Sequence, residues 1–479
     1  MTNLLDLPKG SEIHFVGIGG TGLRAIAIML HNLGYKVTGS DIEITRPWVV
    51  DLMKSGIKVH GGHCGCNIGN PALVIRSVII PDNNPEITVA KEKNIPIIDK
   101  TEALVQIACK KDVLAVAGSH GKSTVTSMIA HIVNESGIDA SWFFGSTLTN
   151  GMPEAKLTDT SKWLILETDE SDHGFIKYNP KISVITNIDP EHMEFYDFKF
   201  ENLVAEFKQF ADTAASNGGI QVLSADCATT LSTQNGSSGN SITFGESESA
   251  NIRCDGVQFF EENGHLCSRA TVLVNGRAMG ELKLIVPGIH NIKSALAAIA
   301  TSAQLGVSIS DAIKHLGSYP GLTRRIELIA NVGGHLVFDD DAGHPTELQA
   351  GMKTLKDYFP NRPICIIHQP VRHSRVFYLS ERYAKAACET LTKGDRYIGS
   401  PAAATDENKW NVSRHGVTDA ISKASPPFAV EYAASSDEIP KLAFETMKDS
   451  EVFFVSGHPP HEIRGAAQKL AALIKDNKK

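Results

Sequence analysis

"AVAGSHGKSTVTSMIAHIV", residues 115–133, decides the fold. It begins as a short apolar run, turns through "GSHG" and continues with apolar residues at helical spacing. A β-rich run that ends in a glycine turn and opens a helix is a phosphate cradle. Backbone N–H groups of Gly118, Ser119, His120, Gly121 and Thr124 can wrap the anion, Lys122 can neutralise β/γ oxygens, and Ser123 can offer a hydroxyl to Mg²⁺. Position 116 is Val, so the first glycine of the strict G-x-x-x-x-G-K-[ST] pattern is missing. The pattern favours ATP or GTP over a chance turn.

A second glycine loop lies upstream, in "HFVGIGGTGLRAIAIML", residues 14–30. Gly17, Gly19 and Gly22 match the spacing G-x-G-x-x-G between a strand and a helix, with Gly20 and Thr21 in the turn. Backbone donors and a helix N-terminus there hold a pyrophosphate. Asp41 ends the next β-rich run and is placed for a ribose hydroxyl. Alone, this loop reads as an NAD site or as a tight turn without a ligand.

Phosphoryl transfer also needs carboxylates and metal ligands from neighbouring strands. "LILETDESDHGF" supplies Glu167, Asp169, Glu170 and Asp172, and "VITNIDPEHMEF" supplies Asn187, Asp189, Glu191 and His192. Each follows an apolar run, so both groups are expected at the carboxyl edge of one sheet, beside the phosphate loop.

The alternation of β-rich and helical runs repeats along 479 residues, too long a chain for one core. Three domains are expected: a Rossmann-like α/β domain over 1–107, a central P-loop α/β domain over 108–320 and a Rossmann-like domain over 321–479. Between about 240 and 285 the chain is punctuated by Ser and Gly and reads as accessory antiparallel strands on the central domain. A net charge of −8 argues against a nucleic-acid surface. No apolar run is long enough to span a bilayer and no secretory leader is read, so a cytoplasmic protein is expected. Eight cysteines are too sparse for a disulfide framework, and "HCGC" at 63–66 reads as a turn rather than a zinc site.

In order, "FVGIGGTG", "GSHGKST", "ETDESD", "TNIDPEH", "PGIHNIKSALAA", "GLTRRIE", "FDDDAGHPTE" and "QPVRHSR" resemble the Mur ligases, and most closely the alanine-adding branch. The resemblance covers nearly the whole chain and explains two phosphate loops: the first holds a UDP-sugar carboxylate substrate, the second ATP. It implies Lys122 on the ATP phosphates, Ser123 and Glu167 on one Mg²⁺, and His192 on a second. It also implies His290 and Asn291 at the adenine, Arg325 at the phosphates and Asp340 at the ATP ribose. Gly17, Gly19, Gly20, Thr21, Gly22 and Asp41 would serve the UDP-sugar, with Lys122, His192, Glu167 and Arg325 closest to the chemistry.

The acceptor, an amino acid or peptide amine, would meet His344, Arg372 and Arg375 in the third domain. The expected reaction is ATP-dependent amide formation through an acyl phosphate in peptidoglycan precursor synthesis, by a monomer or homodimer without nucleic-acid or membrane partners. Alternatives are a murein-tripeptide recycling ligase, a nucleotide-binding paralogue without turnover, and an NAD dehydrogenase.

The third domain departs from the branch. Asp341, Gly343 and Val371 stand where Tyr, His and His are usual, and "SGHPPHEI", with His458 and His461, replaces a G-A-G-[DN]-I-like turn. Loss of bulk and gain of an acid favour a larger or cationic acceptor over L-alanine. Where some Mur ligases carry a carbamylated lysine this chain has Phe207, so no such modification is expected.

Overall fold

The computed structural model describes residues 3–77, 79–234, 240–403, 408–457 and 459–477. The chain is α/β with three sheets. It divides into two compact units: Met1–Asp255 with Ala270–Leu282 and Lys293–Tyr319, and Gly256–Arg269 with Lys283–Ile292 and Pro320–Lys479.

The first unit opens with β1 (Glu12–Val16), α1 (Thr21–Asn32), β2 (Lys36–Asp41), α2 (Pro47–Lys54), β3 (Lys58–Gly61), β4 (Leu73–Arg76), α3 (Pro85–Glu92), β5 (Ile97–Asp99) and α4 (Lys100–Ala108). The strands form a parallel sheet of order β3-β2-β1-β4-β5. The chain winds outward from β1 to β3, then returns to β1's other side as β4. This reversal opens a crevice beyond the carboxyl end of β1, where the first glycine loop lies.

Next come β6 (Asp112–Ala117), α5 (Lys122–Glu135), β7 (Ala140–Phe143), β8 (Ala155–Lys156), β9 (Trp163–Glu167), β10 (Ile182–Ile185), α6 (Phe200–Ser216), β11 (Ile220–Ser224), α7 (Ala228–Ser232) and β12 (Ser241–Gly245). β6 lies between β9 and β10, parallel to both. The phosphate loop and the two acidic segments therefore leave three adjacent strands at the same edge. One apolar core joins both sheets of this unit, from Ile13 and Phe15 to Leu164 and Phe207. Phe207 is fully buried there, its ring 5.1 Å from that of Phe175.

β13 (Ile252–Glu262), β14 (His265–Val274) and β15 (Arg277–Leu284) are the accessory strands, joined through Asn263-Gly264 and Asn275-Gly276. All four turn residues have positive φ, the type I′ geometry that two-residue hairpins favour. α8 (Ile289–Ala303) and α9 (Ile309–Leu316) follow.

The second unit holds β16 (Glu327–Val332), β17 (His335–Asp340), α10 (Pro345–Tyr358), β18 (Ile364–Gln369), α11 (His373–Thr390), β19 (Arg396–Gly399), α12 (Gly416–Lys423), β20 (Ala429–Tyr432), α13 (Ile439–Glu445), β21 (Val452–Gly457) and α14 (Pro460–Asp476). Its sheet runs β16-β17-β21-β18-β19-β20, parallel except for β16. α10, α11 and α12 cover one face and α13 and α14 the other, each over its own apolar cluster.

Candidate active site

Gly17 has φ +82° and turns the chain so that the Gly17 and Ile18 N–H groups donate to the Ser40 carbonyl, at 2.9 and 3.0 Å. Gly20 N–H closes the turn on the Gly17 carbonyl at 3.2 Å. A Cβ at Gly19 would lie 2.8 Å from both Asp41 Oδ2 and Val49 Cγ2, so this position needs glycine for close packing, while one at Gly22 would displace the Lys100 side chain, 2.7 Å away. Asp41 is buried: Oδ2 accepts from Gly19 N–H at 2.9 Å and Oδ1 from Glu43 N–H at 3.1 Å. The sequence placed Asp41 at a ribose; its carboxylate here holds the loop. Of Thr21, the first residue of α1, only the backbone is described.

Gly118 has φ +135°, and a Cβ there would lie 2.1 Å from Thr186 Oγ1. This close approach lets the segment after β10 grip the phosphate loop. Ser119 N–H donates to the Asn187 carbonyl at 3.0 Å, His120 N–H to Asn187 Oδ1 at 2.9 Å, and Asn187 Nδ2 returns a bond to the His120 carbonyl at 2.9 Å. Asp189 N–H donates to Ser119 Oγ at 2.8 Å, and His120 Nε2 is 3.2 Å from Asp189 Oδ2. Gly121, at φ +81°, starts α5, and the Thr124 carbonyl accepts from Ser127 Oγ at 3.0 Å within it.

Lys122 Nζ donates to the Gly118 carbonyl at 2.6 Å and to both oxygens of Glu170, at 3.1 and 2.9 Å. Burial alone would lower its ammonium pKa, but Glu170 and Asp169 overcome that and hold it well above the usual lysine range. The lysine is therefore a fixed cation. Burial likewise would raise the Asp169 carboxyl, but Lys122 brings it below its ordinary value.

Ser123 Oγ donates to Glu167 Oε1 at 2.9 Å, and Glu167 Oε2 accepts from Gly145 N–H at 2.7 Å. His192 has φ +54°, and its Nδ1 is buried with no hydrogen-bond partner among the described residues. One ligand atom each from Asp169, Glu170 and His192 lies within 4.8 Å of the others. The sequence grouped Ser123, Glu167 and His192 as metal ligands; the structure pairs Ser123 with Glu167 and gathers His192 with Asp169 and Glu170. Asp169 and Glu170 are the residues of that acidic run to which the sequence reading gave no role of their own. The run "ETDESD" announces carboxylates, but which of them turns inward depends on the short helix Glu170–Asp172, which starts at Asp169. Three carboxylates, from Glu167, Asp169 and Glu170, and the Ser123 hydroxyl are the hard oxygen donors that Mg²⁺ takes, with His192 beside them.

In the second unit, Asn291 Nδ2 donates to the Pro287 carbonyl at 2.7 Å and lies 3.3 Å from His290 Nε2, in the first turn of α8. Asp340, at the end of β17, accepts from Ile326 N–H and Ala342 N–H, both at 2.7 Å. Burial pushes its carboxyl up to about 7, against the pull of Arg325. Arg325 lies 4.0 Å from Asp341 and 3.9 Å from Glu347. His344 caps α10: its Nδ1 accepts from Thr346 N–H at 3.3 Å, while Glu347 reaches back to the His344 N–H at 3.3 Å.

Arg372 has φ +62° and precedes α11, and its N–H donates to the Ala403 carbonyl at 3.2 Å. Arg375 Nη1 donates to the Gly343 carbonyl at 2.8 Å, as does the Tyr383 hydroxyl at 2.5 Å. Asp341 is ion-paired to Arg324, and Val371 is buried. Tyr383 and Arg375 thus reach the Gly343 backbone, and the added acid at Asp341 has its own counter-charge. His458 lies outside the described residues.

Cys64 and Cys66, in the turn read from "HCGC", are joined as a disulfide across one residue. Glu86 Oε1 anchors their turn, accepting from Cys64 N–H at 3.2 Å and Asn67 Nδ2 at 2.6 Å.

A phosphate loop with a half-buried lysine, flanked by carboxylates from the two adjacent strands, defines a nucleotide-dependent phosphoryl-transfer enzyme. The chain matches the Mur ligase family, catalytic domain, over residues 12–112 and the Mur ligase middle domain over residues 116–302. It is 32% identical over 475 residues to the UDP-N-acetylmuramate–L-alanine ligase of Methylobacillus flagellatus, covering 98% of this chain and 96% of that one. It is 36% identical over 374 residues to the Aquifex aeolicus enzyme of the same name, covering 78% of this chain and 81% of that one. Among solved structures, the UDP-N-acetylmuramate–alanine ligase of Thermotoga maritima superposes with a TM-score of 0.78 at 25% identity, covering 98% and 100%. A murein peptide ligase of Psychrobacter arcticus shares the fold, with a TM-score of 0.69 at 22% identity, covering 98% and 99%. The chain belongs to the Mur ligase family, ATP-dependent enzymes that form amide bonds. No helix among the described residues is long and apolar enough to cross a membrane.

Proposed function

We propose that the protein joins the carboxylate of a UDP-N-acetylmuramate-type substrate to the amine of an amino acid or peptide, through an acyl phosphate, in peptidoglycan precursor synthesis. The observation that carries this reading is two separate strand–glycine loop–helix sites in the first unit, one at 17–22 and one at 118–123. A dehydrogenase would use the first and leave Lys122, Glu167 and His192 without work.

A carboxylate is a poor acyl donor, so phosphorylation by ATP activates it for attack by an amine, and amide, ADP and phosphate leave. Mg²⁺, held by Ser123 and Glu167 and by His192 with Asp169 and Glu170, would neutralise phosphate charge. Lys122 supplies fixed positive charge where β/γ oxygens sit, and the loop N–H groups hold the phosphates in line. His290, Asn291, Arg325 and Asp340 serve the nucleotide, and Arg372, Arg375 and His344 the acceptor. We assign 1–107 to the UDP-sugar, 108–320 to ATP and 321–479 to the acceptor. Beside the Cys64–Cys66 disulfide, the other six cysteines among the described residues are free thiols, and we place the reaction in the reducing cytoplasm.

The test is phosphate release with UDP-N-acetylmuramate, Mg-ATP and a panel of acceptors, together with thermal shifts. Each nucleotide at a hundred times its Kd should stabilise the protein by about 2.7 kcal/mol. A shift with NAD and none with UDP-N-acetylmuramate would overturn the reading of the first loop.

A further inference from the structure

The second unit contains a cavity of about 290 Å³ that no residue assignment above uses. It lies beyond the carboxyl ends of four parallel strands, where open α/β sheets bind ligands. Its lining comes from Gln369 at the end of β18, Pro401–Ala403 after β19, Ser435 and Ser436 after β20, Pro459 and Glu462 after β21, and Arg414. Gly457, at φ +130°, brings the ends of β21 and β18 together: a Cβ there would lie 2.1 Å from the Gln369 carbonyl oxygen.

Two observations say what this cavity seeks. Gln369 is 5% exposed, and its Oε1 has no hydrogen-bond partner among the described residues, while its Nε2 makes only a long 3.4 Å bond to the Pro401 carbonyl. A buried amide oxygen without a donor is costly unless a ligand supplies one. Glu462, in the first turn of α14, accepts only Ser436 Oγ, at 3.2 Å, among the described contacts. The neighbouring cation on that helix, Arg464, is committed to Glu327 and Asp339 at 2.8 and 3.0 Å. Arg414 is exposed at the rim, and its carbonyl accepts from Ala402 N–H at 2.8 Å. The groups lining the cavity are thus a buried amide oxygen without a donor, two serine hydroxyls and, both exposed, the Glu462 carboxylate and Arg414.

We infer that this cavity is the pocket for the acceptor's side chain and that it takes one ending in an ammonium group, which donates to Gln369 Oε1 and Glu462. The inference rests on the ligase reading above and names the acceptor class. An alanine methyl would leave the Gln369 oxygen unanswered and most of the cavity empty. A side chain of lysine type carries a donor on a stem long enough to reach inward.

L-lysine and L-norleucine differ by that terminal ammonium at matched chain length. With UDP-N-acetylmuramate and Mg-ATP, kcat/KM for lysine should exceed that for norleucine by roughly tenfold or more, and L-glutamate should be the poorest. Glu462→Gln should bring the lysine-to-norleucine ratio close to one. A ratio near one in the natural protein, a ratio unchanged in Glu462→Gln, or a preference for glutamate, which would point to Arg414, each overturns the pocket. If no acceptor supports turnover, the ligase reading fails, and calorimetric binding of lysine against norleucine still decides the pocket by the same ratio.

Discussion

Lys122 and Glu170 form a closed ion pair under the phosphate loop: Nζ meets both carboxylate oxygens, and the Glu170 side chain is fully buried. A second carboxylate, Asp169, adds to the field on the lysine. The cation is therefore neutralised within the protein, and nucleotide phosphates must compete with Glu170 for it.

Removing one partner leaves the other charge buried and unpaired, at a cost of roughly 3–5 kcal/mol. Lys122→Ala is expected to abolish ATP-dependent phosphate release and to lower the melting temperature. Combining Lys122→Met with Glu170→Gln should restore most of the melting temperature and none of the turnover. A single Lys122 variant with substantial turnover would show that the loop is only a structural turn.

His192 sits with Asp169 and Glu170 and has a buried ring nitrogen without a hydrogen-bond partner among the described residues, so it is expected to act on turnover more than on stability. His192→Ala should lower kcat by roughly 10²-fold or more while leaving the KM for ATP within a few-fold. Titrating Mg²⁺ checks the role: the variant should need more of it for half-maximal rate. An unchanged Mg²⁺ dependence would remove His192 from the metal site.

Gly118→Ala tests the loop's backbone. A Cβ would enter the Thr186 hydroxyl at a φ that L residues rarely adopt, so the Asn187 grip on Ser119 and His120 must shift. The expected result is loss of the ATP-induced thermal shift with the UDP-sugar shift retained, because the first loop belongs to a different sheet. Loss of both would mean that the two sites are not independent.

Asp340 carries a pH prediction. Its folded pKa, about 7, lies above the ordinary value of 3.8, so the stability it contributes is fully present below about pH 4 and is lost as pH rises through 7. The whole shift corresponds to roughly 4 kcal/mol. Asp340→Asn should flatten this dependence: relative to the variant, the natural protein should lose stability between pH 4 and 8. Urea melts across that range check it, and parallel curves would place the titration elsewhere.

Much of this was legible in order along the chain. Glycine spacing announces both phosphate loops because glycine adopts the positive φ values found at Gly17, Gly118 and Gly121 at little steric cost. Asn263-Gly264 and Asn275-Gly276 announce the hairpins for the same reason. These are local constraints, set within a few residues.

What local sequence could not decide is which of several similar groups meets which. Glu167, Asp169 and Glu170 are near neighbours in the chain, yet Glu167 turns to Ser123 and Glu170 to Lys122 because β9 ends between them and a short helix reverses direction. Asp41 and Asp340 read as ribose ligands, and the sequence does not show that each also accepts backbone N–H groups that only the packed loops bring near. The cavity around Gln369 joins segments from 369 to 462, which become neighbours through the parallel order of β21, β18, β19 and β20. Strand ladders set that adjacency with long-range hydrogen bonds, and a buried amide oxygen is left unanswered only once the chain has closed around it.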